Sequence, residues 1–126
     1  MKIVAVIPAY NEATRVGNVA AAVTKHVDAV VVVDDGSTDG TAEVAKATGA
    51  RVIRHSQNGG AGAATMTGIE AARRMGATVV VTLDADEQHD PEDIPRLLEP
   101  VKSGQADVVF ANRFGTRAGG KGNRIP

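Results

Sequence analysis

Five short apolar runs punctuate this chain, with helical patterns between them. Ile3-Val4-Ala5-Val6-Ile7 is apolar at every position, which marks a strand covered on both faces. Ala29–Val33, the shorter Arg51–Arg54, Thr78–Leu83 and Asp107–Ala111 are the other predicted strands. Pro8 is expected to stop the first of them. Val16, Val19, Ala20, Val23 and Val27 recur at helical spacing and predict a helix from about Thr14 to Lys25. A second helix is predicted from about Gly40 to Thr48, capped by Thr38 or Asp39 and ended by Gly49. A third, built of small residues, follows Asn58-Gly59-Gly60-Ala61-Gly62 and closes at Gly76. Asp90-Pro91-Glu92-Asp93 reads as the start of a fourth, with a cap, a first-turn proline and acids at the positive end of the dipole. Pro95 and Pro100 leave its first residue open.

Strands alternating with helices predict the α/β class: a doubly wound, mostly parallel sheet with helices on both faces. Neither a repeat nor an interdomain linker interrupts the pattern. The sheet is expected to be truncated at its C-terminal side, because the chain stops at Pro126 just after the fifth strand.

Composition sharpens this reading. The chain is 43% hydrophobic but only 2% aromatic, so Val, Ala, Ile and Leu must fill the core. Its 126 residues suffice for one domain that buries roughly two-thirds of its unfolded surface. Fourteen basic residues against 15 acidic ones give a net charge of -1, which argues against nucleic acid as a partner. Cysteine is absent, so disulfides and thiolate metal sites are excluded. No apolar run approaches the roughly 20 residues that span a bilayer. A cytoplasmic location is the expectation, with attachment to the cytoplasmic face of a membrane open.

Candidate chemistry lies where the strands end. The first ends at Tyr10-Asn11-Glu12, the second at Asp34-Asp35, the fourth at Asp84-Ala85-Asp86 and the fifth at Asn112-Arg113. Ligands of open α/β sheets bind at the carboxyl ends of the strands, so four aligned polar loops predict a binding rim. In an extended chain, Asp84, Asp86 and Gln88 present oxygen-bearing groups to one side. Two carboxylates so placed repel unless a cation sits between them, and Mg2+ or Mn2+ suits hard oxygen ligands shared with phosphate. Solvated loop acids before a helix are the simpler alternative. For Asp34 and Asp35 the alternative is a turn with a helix cap, although Ser37, Thr38 and Asp39 already offer capping groups.

Five ordered motifs together resemble those of glycosyltransferase family 2. They are Pro8-Ala9-Tyr10-Asn11-Glu12, Val33-Asp34-Asp35-Gly36-Ser37-Thr38-Asp39-Gly40-Thr41, Asn58-Gly59-Gly60-Ala61-Gly62, Asp84-Ala85-Asp86-Glu87-Gln88-His89-Asp90-Pro91 and Asn112-Arg113-Phe114. They are most similar to the branch of polyprenyl-phosphate, dolichol-phosphate mannose synthase-like sugar transferases. The resemblance implies a GT-A fold, a UDP- or GDP-sugar donor, an Mg2+ or Mn2+ cofactor and inversion at the anomeric carbon. Residues 1–112 would be the nucleotide-sugar-binding GT-A domain, and 113–126 a basic, Gly-rich acceptor-side tail.

The same resemblance implies roles. Pro8, Tyr10 and Glu12 would line the nucleoside pocket, with Tyr10 against the base, while Asp34 and Asp35 accept hydrogen bonds from base or ribose. Asp84, Asp86 and Gln88 would hold the metal, with Asp84 and Ala85 also near the donor. Asp86 and Arg113 are the catalytic candidates. Gly60 and Gly62 would let backbone approach the donor, or form a turn before the helix. Ala61 stands where family members often carry a basic residue, which removes one expected cation near the diphosphate. Arg117 and Arg124 would meet an acceptor phosphate, or belong to a solvated tail. His89 reads as an orienting or structural residue, and His26 and His55 carry no signal. The expected acceptor is polyprenyl or dolichyl phosphate, reached at a membrane surface through a C-terminal region that family members have beyond the equivalent of Pro126. The competing expectation is a nucleotide-sugar-binding module without transferase activity of its own. An Asp-x-Asp phosphatase-like hydrolase fits less well, since its nucleophile pair would follow the first strand.

Overall fold

The computed structural model describes residues 1–85, 94–98 and 107–110. Among these, five parallel strands form one sheet: β1 (Ile3–Ala9), β2 (Ala29–Asp34), β3 (Arg51–Arg54), β4 (Val79–Thr82) and β5 (Asp107–Phe110). Their order is β3-β2-β1-β4-β5. The connecting helices are α1 (Val16–Thr24), α2 (Thr41–Ala47), α3 (Ala61–Arg74) and α4 (Ile94–Leu98). The predicted α/β architecture is therefore the one adopted, with a parallel sheet and helices on both faces.

Side-chain alternation along the strands builds two cores. Ala5, Ile7 and Ala9 of β1, Val30 and Val32 of β2, and Val79 and Val81 of β4 face α1, α2 and α4. Val4 and Val6, Val31 and Val33, Val80 and Val108 face the other way, toward Ala64 and Ala72 of α3. Each fully buried valine stabilises the fold by roughly 1.5 kcal/mol or more, and the buried core among the described residues is built from Val, Ala, Ile and Leu alone. The α3 face is the closer packed of the two. Gly68 is buried there, and a Cβ on it would collide with Val6 Cγ1.

The elements follow the predicted order, with instructive differences. Pro8 lies inside β1, paired with Val33, instead of stopping the strand. Leu83 donates its N–H to the Val6 carbonyl. Pro8, two residues further along that edge of β1, has no N–H to offer β4. The β1–β4 ladder stops while β1–β2 pairing continues to Ala9–Asp34. Proline thus ends one ladder and spares the other. Helix α1 starts at Val16 rather than Thr14, and Val27 packs against the core from beyond its end. Pro95 lies within α4, and the start predicted for that helix at Asp90-Pro91-Glu92-Asp93 lies outside the described residues.

The chain runs from β1 through β2 to β3, then crosses back to β4 on the far side of β1. That reversal opens a crevice between the carboxyl ends of β1 and β4, the position at which such sheets bind ligands. The ladder end at Pro8 lies at this crevice.

Candidate nucleotide-binding rim

The loop after β1 is bound to the loop after β2, largely by side chains gripping backbone. Ser37 Oγ accepts the Asn11 N–H at 2.8 Å, Thr41 Oγ1 accepts the Glu12 N–H at 3.0 Å, and Asp39 Oδ2 accepts the Ala13 N–H at 3.2 Å. In return, Asn11 Oδ1 accepts the Thr38 N–H at 2.9 Å. Asn11 reaches this position at φ 52°, in the left-handed region that asparagine tolerates better than most residues. Asp39 also accepts the Thr41 N–H and hydroxyl at the start of α2. The Thr41 hydroxyl is the main reason its carboxyl is held below the ordinary range; burial opposes this, and the Ala13 and Thr41 amides add to it. Gly40 is the N-cap of α2 and makes no side-chain cap bond, so Asp39, just before it, holds the first amide of the helix, whereas Ser37 and Thr38 hold the preceding loop.

The two acids at the end of β2 differ. Asp34 is 1% exposed, and its Oδ1 accepts the Ser37 N–H at 2.9 Å. Among the described residues its Oδ2 is buried without a hydrogen-bond partner, with Arg54 Nε 3.7 Å away. That distance is too long for a hydrogen bond but close enough to offset charge. Asp35 is 3% exposed. Its Oδ1 accepts the Gly59 N–H and faces His55 Nδ1, both at 2.9 Å, and its Oδ2 accepts the Gly60 N–H at 2.8 Å. Burial is the largest single influence on this carboxyl and disfavours its charge. The donors from Gly59, His55 and Gly60 together outweigh it and hold the group below its ordinary value. A carboxylate offers about four acceptor positions, so Asp35 retains one, on Oδ2.

Gly36 explains how these loops come so close. It sits at φ 79°, and a Cβ there would lie 2.7 Å from the Asn58 nitrogen and the Gln57 carbonyl carbon. Gly60 adopts φ 95° and immediately precedes α3. Gly62 lies in the first turn of that helix rather than in the loop, with open space where a Cβ would be.

On the β4 side, Leu83 and Ala85 turn into the α1-side core while Asp84 between them is exposed. Ala85, 3% exposed, belongs to the core and not to the rim surface. Asp84 thus stands on the same rim as Asp34 and Asp35, two strands away, a separation of about 10 Å at ~4.8 Å per strand. Between them Tyr10 is 46% exposed, Pro8 is half-buried, and Glu12 pairs with Arg15 at 2.6 Å. Asp86, Gln88, His89, Arg113, Arg117 and Arg124 lie outside the described residues. No group of three or more acidic or histidine side chains able to hold a metal occurs among the described residues.

Arg54 and His55 were not assigned from sequence, although β3 ends on the same rim. Reading its carboxyl end like those of the other strands finds them both. The grooves away from the rim have a different character. One of about 610 Å³ runs between β3 and α3 along Ile53, Met66 and Thr67.

Parallel strands with a crevice at the chain reversal define a doubly wound α/β fold of the kind that binds ligands at the carboxyl ends of its strands. The sequence model of glycosyl transferase family 2 matches residues 4–126, and the chain belongs to that family. It is 35% identical over 127 residues to a UDP-N-acetylglucosamine–dolichyl-phosphate N-acetylglucosaminyltransferase of Methanococcus voltae, covering 86% of this chain and 51% of that protein. Against an undecaprenyl-phosphate mannosyltransferase of Micrococcus luteus the identity is 36%, covering 90% and 49%. The chain thus spans about half the length of these relatives. Among solved structures it is similar to glucosyl-3-phosphoglycerate synthase of Mycobacterium tuberculosis in complex with Mg2+ and UDP. The TM-score is 0.70 at 31% identity, covering 82% of this chain and 40% of that one. Among the described residues, no helix is long and apolar enough to cross a membrane.

Proposed function

We propose that this chain carries the donor half of a metal-dependent, inverting glycosyltransferase that moves a sugar from a UDP- or GDP-sugar to polyprenyl phosphate. The observation that carries this is that Asp34 and Asp35 at the end of β2 and Asp84 after β4 all lie at carboxyl ends of strands, on either side of β1. Relatives bearing the names of dolichyl- and undecaprenyl-phosphate transferases support the acceptor class.

In this reading Pro8, Tyr10 and Glu12 line the nucleoside, and exposed Tyr10 stacks on the base. Asp34 Oδ2 accepts no hydrogen bond among the described residues, a cost of about 1–3 kcal/mol that the Arg54 charge 3.7 Å away partly offsets. A base N–H or ribose hydroxyl removes that cost, and the last free position on Asp35 takes a second donor. Gly60 and the exposed Gly62 let the diphosphate approach the start of α3.

Asp84 is a hard oxygen donor, exposed where the diphosphate would lie, and fits Mg2+ or Mn2+. Asp84, Asp86 and Gln88 would hold the cation. When bound, it neutralises charge on the departing nucleoside diphosphate. Arg113 meets anionic oxygen of donor or acceptor, and Arg117 and Arg124 meet the acceptor phosphate. A lipid phosphate is already largely anionic near neutral pH. It needs positioning more than a general base, consistent with a sequence that offers no evident one. Such an acceptor places the work at the cytoplasmic face of a membrane.

Calorimetry with UDP-glucose and GDP-mannose, with Mn2+ and then with chelator, tests the reading. Metal-dependent binding of either is expected, and binding of neither under any metal condition overturns it. Donor binding without transfer to a polyprenyl phosphate would make the chain a binding module instead. Asp86→Ala is expected to abolish metal-assisted donor binding with the circular dichroism spectrum unchanged.

A further inference from the structure

His55 ties three elements together. Its N–H donates to the Asp34 carbonyl at 2.8 Å, fixing it to the end of β2. Its ring reaches Asp35 Oδ1 through Nδ1 and Thr67 Oγ1 through Nε2, each at 2.9 Å. Thr67 lies in the second turn of α3. The imidazole side chain is 23% exposed. An ionised carboxylate has no proton to give, so Nδ1 carries one and donates to Asp35. In the neutral ring Nε2 then accepts from the Thr67 hydroxyl, and both contacts are satisfied by a single tautomer.

We propose that His55 is a positioning residue for the nucleotide donor, a rigid brace that sets the Asp35 carboxylate and, through it, the Gly59–Gly60 turn. This rests on the donor-site reading above. The two glycine amides alone leave the carboxylate attached only to a segment of maximal backbone freedom. The ring adds a fixed strut to α3, whose Gly68 is in turn seated on β1. With the brace in place, the turn and the remaining acceptor of Asp35 are ordered before the donor arrives. Without it, their ordering is charged against binding.

Replacements of similar reach separate bracing from space-filling. His55→Asn places an amide N–H near the position of Nδ1 and keeps the Asp35 bond. His55→Gln reaches the position of Nε2, keeps the Thr67 bond and loses Asp35. His55→Ala loses both. Kd for UDP and for GDP with Mn2+ is measured in all four proteins, alongside hydrogen exchange of the Gly59 and Gly60 amides without ligand. His55→Gln and His55→Ala are expected to bind roughly tenfold more weakly and to exchange faster at both glycines, with His55→Asn, which keeps the Asp35 bond but loses the strut to Thr67, between them and wild type. Equal affinity and exchange in His55→Gln and wild type would overturn the proposal, and the Asn–Gln pair decides it should His55→Ala fail to fold. If wild type binds neither nucleotide, the donor role falls with the donor-site reading. The brace then stands or falls on the glycine exchange alone.

Discussion

The two shores of the crevice are built differently. On the β2 shore nearly every polar side chain is engaged within the protein. Asn11, Ser37, Asp39 and Thr41 lock two loops together, and Asp35 with His55 locks a third. On the β4 shore the ladder ends at Pro8, and Asp84 faces outward from a strand whose flanking residues, Leu83 and Ala85, are buried. The first shore is preorganised by hydrogen bonds that cost stability when removed. The second presents an exposed carboxylate. A site for a nucleoside diphosphate requires both: a shaped pocket for the neutral, specific end and exposed acid for a cation at the charged end.

Substitutions on the two shores should therefore fail in opposite ways. The largest loss of stability is expected from Asp35→Ala, which strands two glycine amides and an imidazole. Urea unfolding should show a loss of about 3 kcal/mol. A loss below about 1 kcal/mol would mean that the β2 shore is not held together as described. Gly36→Ala comes next, at about 2 kcal/mol, since a side chain at positive φ would also press on the backbone of Gln57 and Asn58.

Acid should dissolve the same shore. Asp35 and Asp39 ionise more readily in the folded chain than in the unfolded one. The stability this contributes is present above the unfolded value of about 3.9 and is lost as pH falls through their lowered folded values. The urea midpoint should drop below about pH 4, and Asp39→Asn should flatten that drop; an unchanged acid limb in the variant would contradict the role of Asp39 as acceptor for Ala13 and Thr41. Smallest in stability is Asp84→Ala, expected to move unfolding by less than about 0.5 kcal/mol. Its effect belongs in the calorimeter, as a loss of at least roughly tenfold in Mn2+-supported UDP or GDP affinity. Full retention of that affinity would remove the β4 shore from the site.

Much of the fold was legible because its signal is local. Strands apolar on both faces, such as Ile3–Ile7, need no knowledge of their partners to be read as central strands of a layered sheet. Asp84 was likewise legible as a rim acid from its place after a β-branched run. Pro8 was misread because proline's effect depends on which neighbour its missing N–H would have faced. His55 carried no signal because its partners lie 20 residues before it and 12 after it. Ser37 and Thr38 looked like helix caps and serve the Asn11 loop instead, a choice made by proximity rather than by propensity.

By itself the sequence determined the alternation of strands and helices, the apolar character of both sheet faces and the set of polar strand ends, since these follow from side-chain period and burial. Only the tertiary structure decided which strand end lies beside which, which ladder stops at Pro8 and which carboxylate oxygens are already occupied. Those depend on hydrogen bonds between residues far apart in the chain, and no local pattern encodes their geometry.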